Sequence, residues 1–316
     1  MLPPEVTIES IPCECGSLLT KKILAGNDWL NNLPGEFQVV QCRDCGLLRT
    51  NPRPTPDTIG FYYPDNYGPY LTTQVKQNHQ PKKIKKGIKK WLSDHFNANS
   101  KTIIPDTKPG QLLEIGCGSG DFLMEMQQQG WEVQGLEPSD TATHRARLQG
   151  LEVTCGTLET TELPQNHFDM VVAWMVIEHL HHPLAGLEKI CLALKPGGVL
   201  VLSVPDMGGL DFRLFKQHYY ALHLPNHLYH FTRFSIKRLI LDAGFRQCRF
   251  FWHRNPNYFF ASLNHVFAIR QQPRLESFTQ KVLDRKRLKL FSKLLGWLLA
   301  LTRQSGRMTV WAYKCR

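Results

Sequence analysis

Four cysteines stand in two close pairs near the start of the 316-residue chain. One residue separates Cys13 from Cys15, two separate Cys42 from Cys45, and a glycine follows each pair. Four thiolates at this spacing can close a tetrahedral zinc site, and the glycines would allow the tight turns of a zinc knuckle. With four cysteine ligands no coordination position is left for catalysis, so the pattern predicts structural zinc. The alternatives are four buried free thiols, or a redox pair, which lacks the strand–helix–strand context it needs.

The segment LLEIGCGSGDF contains a second chemical pattern, three alternating glycines: Gly116, Gly118 and Gly120. Such glycines let the backbone turn tightly and let a ligand approach the N-terminus of the next helix. Asp121 stands where a dinucleotide fingerprint has its third glycine, which argues against NAD. Glu137 follows 21 residues after Gly116, and an acid there can accept both ribose hydroxyls of a nucleoside.

Histidines after the apolar run FDMVVAW are candidates for proton transfer. His179 directly follows Glu178, and an ordinary histidine pKa near 6.5 suits a general base. Three more histidines lie downstream among tyrosines: His223, His227 and His230. They are predicted either to bind substrate or act as a second base, or to belong to an aromatic lid. Because no carboxylate stands at ligand spacing among them, a catalytic metal is disfavoured. His181 and His182 are predicted to be exposed at the start of a helix.

The elements that must position these residues follow from hydrophobic periodicity. From residue 110 to about 248, short apolar runs alternate with amphipathic stretches, which is typical of βα units and a parallel sheet. Strands are predicted at QLLEI, WEVQGLE, FDMVVAW, GVLVLSV, FRQCRFFW and RMTVWAYK. Helices are predicted over Asp121–Gln129, Asp140–Gln149, Pro183–Leu194 and Ser235–Ala243. Ligands of such sheets bind at the carboxyl ends of the strands, where the glycine loop and His179 would meet.

In their order these motifs resemble class I S-adenosylmethionine-dependent methyltransferases, whose glycine loop is ExGxGxG. FDMVVAWMVIEHLHHP is similar to the family's fourth strand and the loop after it, LKPGGVLVLSVP to the fifth strand, and HLYHFTRFSIKRLILDAGF to the segment before the sixth. The resemblance covers about residues 110–250. It implies an α/β fold, a Rossmann-like seven-stranded methyltransferase sheet with helices on both faces, preceded here by a small zinc-ribbon-like module.

The resemblance also implies a set of S-adenosylmethionine-binding residues: Glu114, Gly116, Cys117, Gly118, Gly120, Glu137, Thr157, Leu158 and Trp174. Within it, Glu114 and the glycine loop would hold the methionine part and Glu137 the ribose, while the backbone near Leu158 would face the adenine. Thr157 departs from the family, because many members carry Asp in this loop, and a weaker contact is expected.

A zinc module before such a domain resembles the zinc-binding sugar C-methyltransferases, in which a similar Glu-His pair occupies the loop that holds Glu178 and His179. The expected activity is methyl transfer to a small molecule: a sugar, natural-product or lipid-linked hydroxyl or carbon. The residues expected to serve catalysis are Glu178, His179, His227 and His230. In other members the Glu-His pair is only a structural turn.

Two other functions remain as alternatives, an RNA methyltransferase and a non-catalytic S-adenosylmethionine-binding protein. Nucleic acid is disfavoured as a partner, because WMVIEH stands after the fourth strand where amino-nucleobase enzymes have an [ND]PPY-like motif. No cysteine follows that strand, which disfavours cytosine C-methylation through a thiolate. Nothing in the glycine loop is degraded, which argues against loss of activity.

Charge and apolar patterning suggest partners and domains. The formal charge is +11, and KKIKKGIKK holds six lysines and no acid. With no secretory signal pattern, a cytoplasmic location is expected. The predicted domains are a zinc module with its tail over 1–71, a basic linker helix over 72–109, and a methyltransferase domain over 110–316 with a helical insertion at about 257–304.

The insertion contains a predicted amphipathic helix, KRLKLFSKLLGWLLALTR. Its apolar stripe comprises Leu290, Leu294, Trp297, Leu298 and Leu301, and it is too short and too charged to span a bilayer. Burial of this stripe against the sheet domain or a second chain is expected. The alternative is a peripheral membrane contact through the basic segments Lys82–Trp91 and Lys286–Arg303.

Overall fold

The computed structural model of the protein describes residues 2–64, 103–275, 277 and 286–315, with the backbone alone for 286–290. Its strands are β1 (Ile8–Glu9), β2 (Thr20–Asn27), β3 (Glu36–Cys42), β4 (Leu48–Thr50), β5 (Arg53–Pro54), β6 (Gln111–Ile115), β7 (Glu132–Glu137), β8 (Glu152–Cys155), β9 (Phe168–Trp174), β10 (Leu194–Pro205), β11 (Tyr229–His230), β12 (Gln247–Trp252) and β13 (Arg307–Tyr313). Its α-helices are α1 (Asp121–Gln128), α2 (Asp140–Leu148), α3 (Pro183–Ala193), α4 (Leu210–Phe215), α5 (Arg233–Asp242), α6 (Asn257–Ile269) and α7 (Lys286–Leu301).

Within the described chain, seven strands form the central sheet in the order β12–β13–β10–β9–β6–β7–β8. The five strands from β10 to β8 run parallel, and β13 is antiparallel to both of its neighbours. The predicted α/β architecture and all six predicted strands are confirmed. Strand β8 was not predicted, because its four residues include only one buried side chain, Val153. The strand order reverses between β6 and β9, which places a ligand crevice at the carboxyl ends of these two strands.

Successive residues of the central strands are buried on opposite faces of the sheet, as the pleat requires. Leu112 and Met170 pack against α1, whereas their neighbours Leu113 and Val171 pack against α3 and α5. Because both faces are covered, these strands are continuous apolar runs. Helix α5 begins two residues before its predicted start, since the Thr232 hydroxyl accepts a hydrogen bond from the Ser235 amide and caps the helix.

The N-terminal segment contributes a second sheet, in the order β11–β4–β3–β2. The hairpin of β2 and β3 was not anticipated from the loop-rich composition of this region. Strand β11 comes from the segment after β10, so the sheet joins distant parts of the chain. Arg53, which is 1% exposed, donates to Glu9 Oε1 and to the His181 carbonyl oxygen, both at 2.8 Å. These contacts hold the N-terminal segment against the loop after β9.

Helix α7 does not pack as expected. Leu294, Leu298 and Leu301 of the predicted stripe are exposed, Trp297 is half-buried, and the side chain of Leu290 is not described. Within the described residues, this stripe is therefore not buried against the sheet domain, and its burial against a second chain stays a prediction. The helix is held instead by the opposite face, where Gly296 lies against the backbone after β12.

None of the helices in the described ranges combines the length and apolarity that crossing a membrane requires. The basic segment 82–91 lies outside the described residues.

Candidate active site

The glycine loop connects the end of β6 to the start of α1. Gly116, Gly118 and Gly120 have φ values of +69°, +57° and +85°, a left-handed conformation that favours glycine. A Cβ on Gly120 would also press against Leu151 Cδ1, so that the leucine side chain would have to move. A Cβ on Gly116 would lie 2.8 Å from Val176 Cγ2. The loop therefore directly contacts the segment that carries His179.

Glu137 closes one side of this loop from the end of β7. Its Oε2 accepts from the Gly118 amide at 2.8 Å, and its Oε1 accepts from the Ser139 amide at 3.0 Å. Burial raises the pKa of this carboxyl, and the two amide hydrogen bonds oppose the shift. Each carboxylate oxygen can accept more than one hydrogen bond, so the group can also bind a pair of hydroxyls.

The other predicted cofactor residues surround the same edge. Trp174, at the end of β9, is 8% exposed and packs edge-on against Phe122. The Leu158 carbonyl accepts from Lys189 Nζ at 3.0 Å. The Thr157 hydroxyl lies 3.0 Å from that of Thr160 and so has a local partner. Two more predicted cofactor residues, Glu114 on β6 and Cys117 in the glycine loop, are also buried.

Three histidine rings form a cluster beside this edge, in which His227 is buried and His179 and His223 are half-buried. His179 ends a short 3₁₀ turn after β9, and its ring centroid lies 4.6 Å from that of His227. His223 lies 4.9 Å from His227 by the same measure. The structure thus brings together side chains more than forty positions apart in sequence.

The hydrogen bonds of this cluster identify which nitrogens can accept a proton. His179 Nδ1 lies 3.0 Å from the Asn226 carbonyl oxygen, which can only accept, so Nδ1 carries the hydrogen and donates. The Tyr63 hydroxyl oxygen lies 2.8 Å from the same nitrogen. His227 Nδ1 likewise donates to the Ala221 carbonyl oxygen at 2.9 Å. In both rings Nε2 is left as the basic nitrogen.

Burial keeps these rings neutral. It lowers the pKa of His179 to about 4 and that of His223 to about 3, and the neighbouring His179 also lowers the latter. Burial moves the pKa of His227 in the same direction. At neutral pH, His179 is therefore unprotonated, and its lowered pKa also makes it a weaker base than an ordinary histidine.

Glu178 lies beside the histidines and is completely buried. Among the residues that the structure describes, neither of its carboxylate oxygens has a hydrogen-bond partner. Burial raises its pKa to about 8, against the opposing charge of Arg307. One donor atom each from Glu178, His179 and His227 lie within 4.8 Å of one another. No carboxylate stands at ligand spacing among the downstream histidines in the sequence, but the fold brings Glu178 to His227, and the cluster is also compatible with a metal ion.

Two other histidines have structural contacts. His230, on β11, lies with Nε2 3.0 Å from the Thr50 hydroxyl of the N-terminal sheet. His181 is buried rather than exposed, because its Nε2 hydrogen bonds to the Pro54 carbonyl oxygen at 3.2 Å. His182 is exposed as predicted.

Tyr63 and Tyr258 were missed by the sequence analysis. Tyr63 comes from the N-terminal segment, and only the tyrosine-rich run FYYP signalled an aromatic contribution there. Tyr258 lies on α6, with its hydroxyl 3.7 Å from the sulfur of Met175. Met175 begins the loop after β9 with a φ of +60°, which is rare for a residue with a side chain.

The four N-terminal cysteines converge as the zinc pattern requires. The Sγ atoms of Cys13 and Cys45 are 3.4 Å apart, and those of Cys15 and Cys42 are 3.7 Å apart. These separations exceed a disulfide bond of about 2.05 Å. They approach the edge of about 3.8 Å of a tetrahedron with zinc–sulfur bonds of about 2.3 Å. The glycines that follow, Gly16 and Gly46, both have positive φ values.

Comparison with known proteins identifies the class. Residues 83–248, more than half of the chain, match a family described as a methyltransferase domain. The chain belongs to this family of methyltransferase domains.

Individual relatives share low sequence identity with this chain and match only part of it. A ubiquinone biosynthesis O-methyltransferase of Bradyrhizobium is 32% identical over 110 residues, which cover 33% of this chain and 43% of that protein. A tRNA U34 carboxymethyltransferase of Desulfotalea psychrophila is 29% identical over 140 residues, covering 42% and 44%. The chain thus spans less than half the length of these relatives. A solved S-adenosylmethionine-dependent methyltransferase of Thermotoga maritima is 18% identical, covering 71% of this chain and 89% of that one, with a TM-score of 0.47.

Proposed function

We propose that this protein transfers a methyl group from S-adenosylmethionine to a small-molecule acceptor, a hydroxyl or an activated carbon, with His179 as the general base. The observation that carries the proposal is the neutral, half-buried His179, whose Nδ1 donates to the Asn226 carbonyl and whose Nε2 is left to accept a proton. A base must be neutral at working pH and oriented toward the reacting group.

The glycine loop and Glu137 are the proposed cofactor-binding residues. S-adenosylmethionine, when bound, supplies an electrophilic methyl group on a sulfonium. The glycine loop and the Glu137 carboxylate would hold the cofactor at the carboxyl ends of β6 and β7, where Gly116 contacts Val176. This contact supports a bound cofactor that lies close to His179, because Val176 and His179 belong to the same segment after β9.

Three residues would then act on the acceptor. His179 Nε2 would take the proton of the acceptor, and bound S-adenosylmethionine would supply the methyl group that replaces it. The neutral Glu178 carboxyl, with a pKa near 8, can donate a hydrogen bond, and His227 Nε2 can accept one. A hydroxylated acceptor, such as a sugar or natural product, offers partners for both. His230, hydrogen bonded to Thr50, is proposed as a positioning residue only.

The N-terminal module would bind one structural zinc ion through its four cysteines, and the thiol separations support this donor set. The module over 1–71 would stabilise the site, because it supplies Tyr63 to His179 and Thr50 to β11. The remaining proposed divisions are the linker 72–109 and the methyltransferase domain 110–316.

Transfer of a labelled methyl group tests the proposal. The protein is incubated with methyl-labelled S-adenosylmethionine and a cell extract that has been separated into small-molecule, RNA and protein fractions. Label is expected in the small-molecule fraction, and the His179→Asn variant should lose it while still binding cofactor. Label in ribonuclease-sensitive material would favour the RNA alternative, which the lysine-rich segment motivates. Cofactor binding without transfer to any fraction would favour a non-catalytic protein.

A further inference from the structure

Helix α7 presents an apolar stripe to solvent. This exposed stripe overlaps the predicted one, and it consists of Phe291, Leu294, Leu298 and Leu301, which are 61%, 50%, 45% and 64% exposed. Their spacing of three or four residues places them on one face of the helix. Within the described ranges, no segment covers this face.

The opposite face of α7 is fixed to the protein. Ser292 and Leu299 are buried, and Gly296 lies so close to the segment after β12 that an added Cβ would be 2.1 Å from the Arg254 carbonyl oxygen. Rotating the helix to bury the stripe would bring larger side chains against this backbone. The outward orientation of the stripe is therefore imposed by packing.

The charges along α7 are all positive. The helix KRLKLFSKLLGWLLAL contains four basic residues and no acidic one. Arg303 follows it, with its guanidinium 5.5 Å from the Trp252 ring centroid. A helix that combines an exposed apolar face with several basic residues and no acidic one is typical of a helix that lies in a membrane interface, where anionic headgroups attract the cations.

We propose that the apolar stripe of α7 docks on an anionic lipid surface. Charge favours this partner over a second copy of the chain. A symmetric dimer through the stripe would bring two copies of the same basic helix together, and like charges oppose that contact. The proposal does not depend on the identity of the methyl acceptor.

Cosedimentation with vesicles tests the docking. The full chain is mixed with vesicles of phosphatidylcholine alone, or with added phosphatidylglycerol, at low and high salt. The stripe variant is Leu294→Asp/Leu298→Asp. The control is Leu148→Asp/Leu192→Asp, which changes two leucines that are 73% and 56% exposed on α2 and α3. Both variants add the same charge and remove two exposed leucines, so they differ only in location.

The wild type and the control are expected to bind the phosphatidylglycerol vesicles, with weaker binding at high salt. The stripe variant should lose at least about tenfold in affinity. Equal binding by the two variants, or no binding by the wild type, would overturn the proposal. So would a wild-type dimer in light scattering that the stripe variant alone dissociates.

Unchanged thermal midpoints and cofactor affinity show that the variants are folded. If the stripe variant is unfolded, Leu301→Asp compared with Leu148→Asp gives the same test with one change each. Failure of docking with intact methyl transfer would leave the proposed function standing.

Discussion

Glu178 offers a sharp test of the site, because burial alone accounts for its raised pKa. The folded pKa is about 8 and the ordinary value is 4.5. Between these values the folded protein holds a proton that the unfolded chain releases. The stabilising contribution is therefore fully present below pH 4.5 and is lost as the pH rises through 8. A difference of about 3.5 pKa units corresponds to about 5 kcal/mol of unfolding free energy.

Glu178→Gln removes the ionisation and keeps the shape of the side chain. Urea unfolding of wild type and variant is measured between pH 5 and pH 9. The unfolding free energy of the variant, relative to wild type, should increase by about 1.4 kcal/mol per pH unit up to pH 8 and then level off. Glu125→Gln, at an exposed position on α1, is the matched control and should show no such trend. Parallel curves for Glu178→Gln and wild type would refute a neutral carboxyl in the folded site.

The remaining predictions concern the base, the cofactor and the zinc module. His179→Asn should lower kcat by about 10² to 10⁴ fold with little change in cofactor affinity. The wild-type rate should not fall between pH 8 and pH 6 through protonation of His179, because the pKa of this residue is about 4. A change below about threefold would assign the proton transfer elsewhere. Glu137→Ala should weaken S-adenosylmethionine binding by about 1.5 to 3 kcal/mol in calorimetry, and equal affinity would contradict its assignment. Metal analysis should find one zinc ion per chain, and Cys45→Ser should weaken its binding. Purified protein that contains no zinc and has four titratable thiols would contradict the zinc site. Tyr63→Phe should lower kcat by less than about tenfold without changing cofactor affinity, because one hydrogen bond to His179 is lost; a loss of cofactor binding would mean that Tyr63 has a different role.

The amino-acid sequence by itself determined those strands and turns whose conformation depends on residues close by in the chain. Strands buried on both faces are continuous apolar runs, so the strands of the central sheet, apart from the short β8, were predictable from the chain alone. The glycine loop was equally local, because its positive φ values at Gly116, Gly118 and Gly120 require a residue without a side chain. The spacing of the cysteine pairs likewise predicted the convergence of their four sulfur atoms.

Only the tertiary structure decided which side chains meet and which face solvent. Tyr63 and His179 are 116 positions apart, and no periodicity relates them. Burial of His181 depends on its contact with Pro54, which lies on β5, a strand that pairs with β1 and not with the central sheet. Helix α7 has apolar residues outside its predicted stripe, among them the buried Leu299, so its sequence does not specify which face is packed. The close approach of Gly296 to Arg254 selects that face and leaves the leucine stripe outside. Contacts of this kind depend on the path of the whole chain, whereas strands and turns depend on a few adjacent residues.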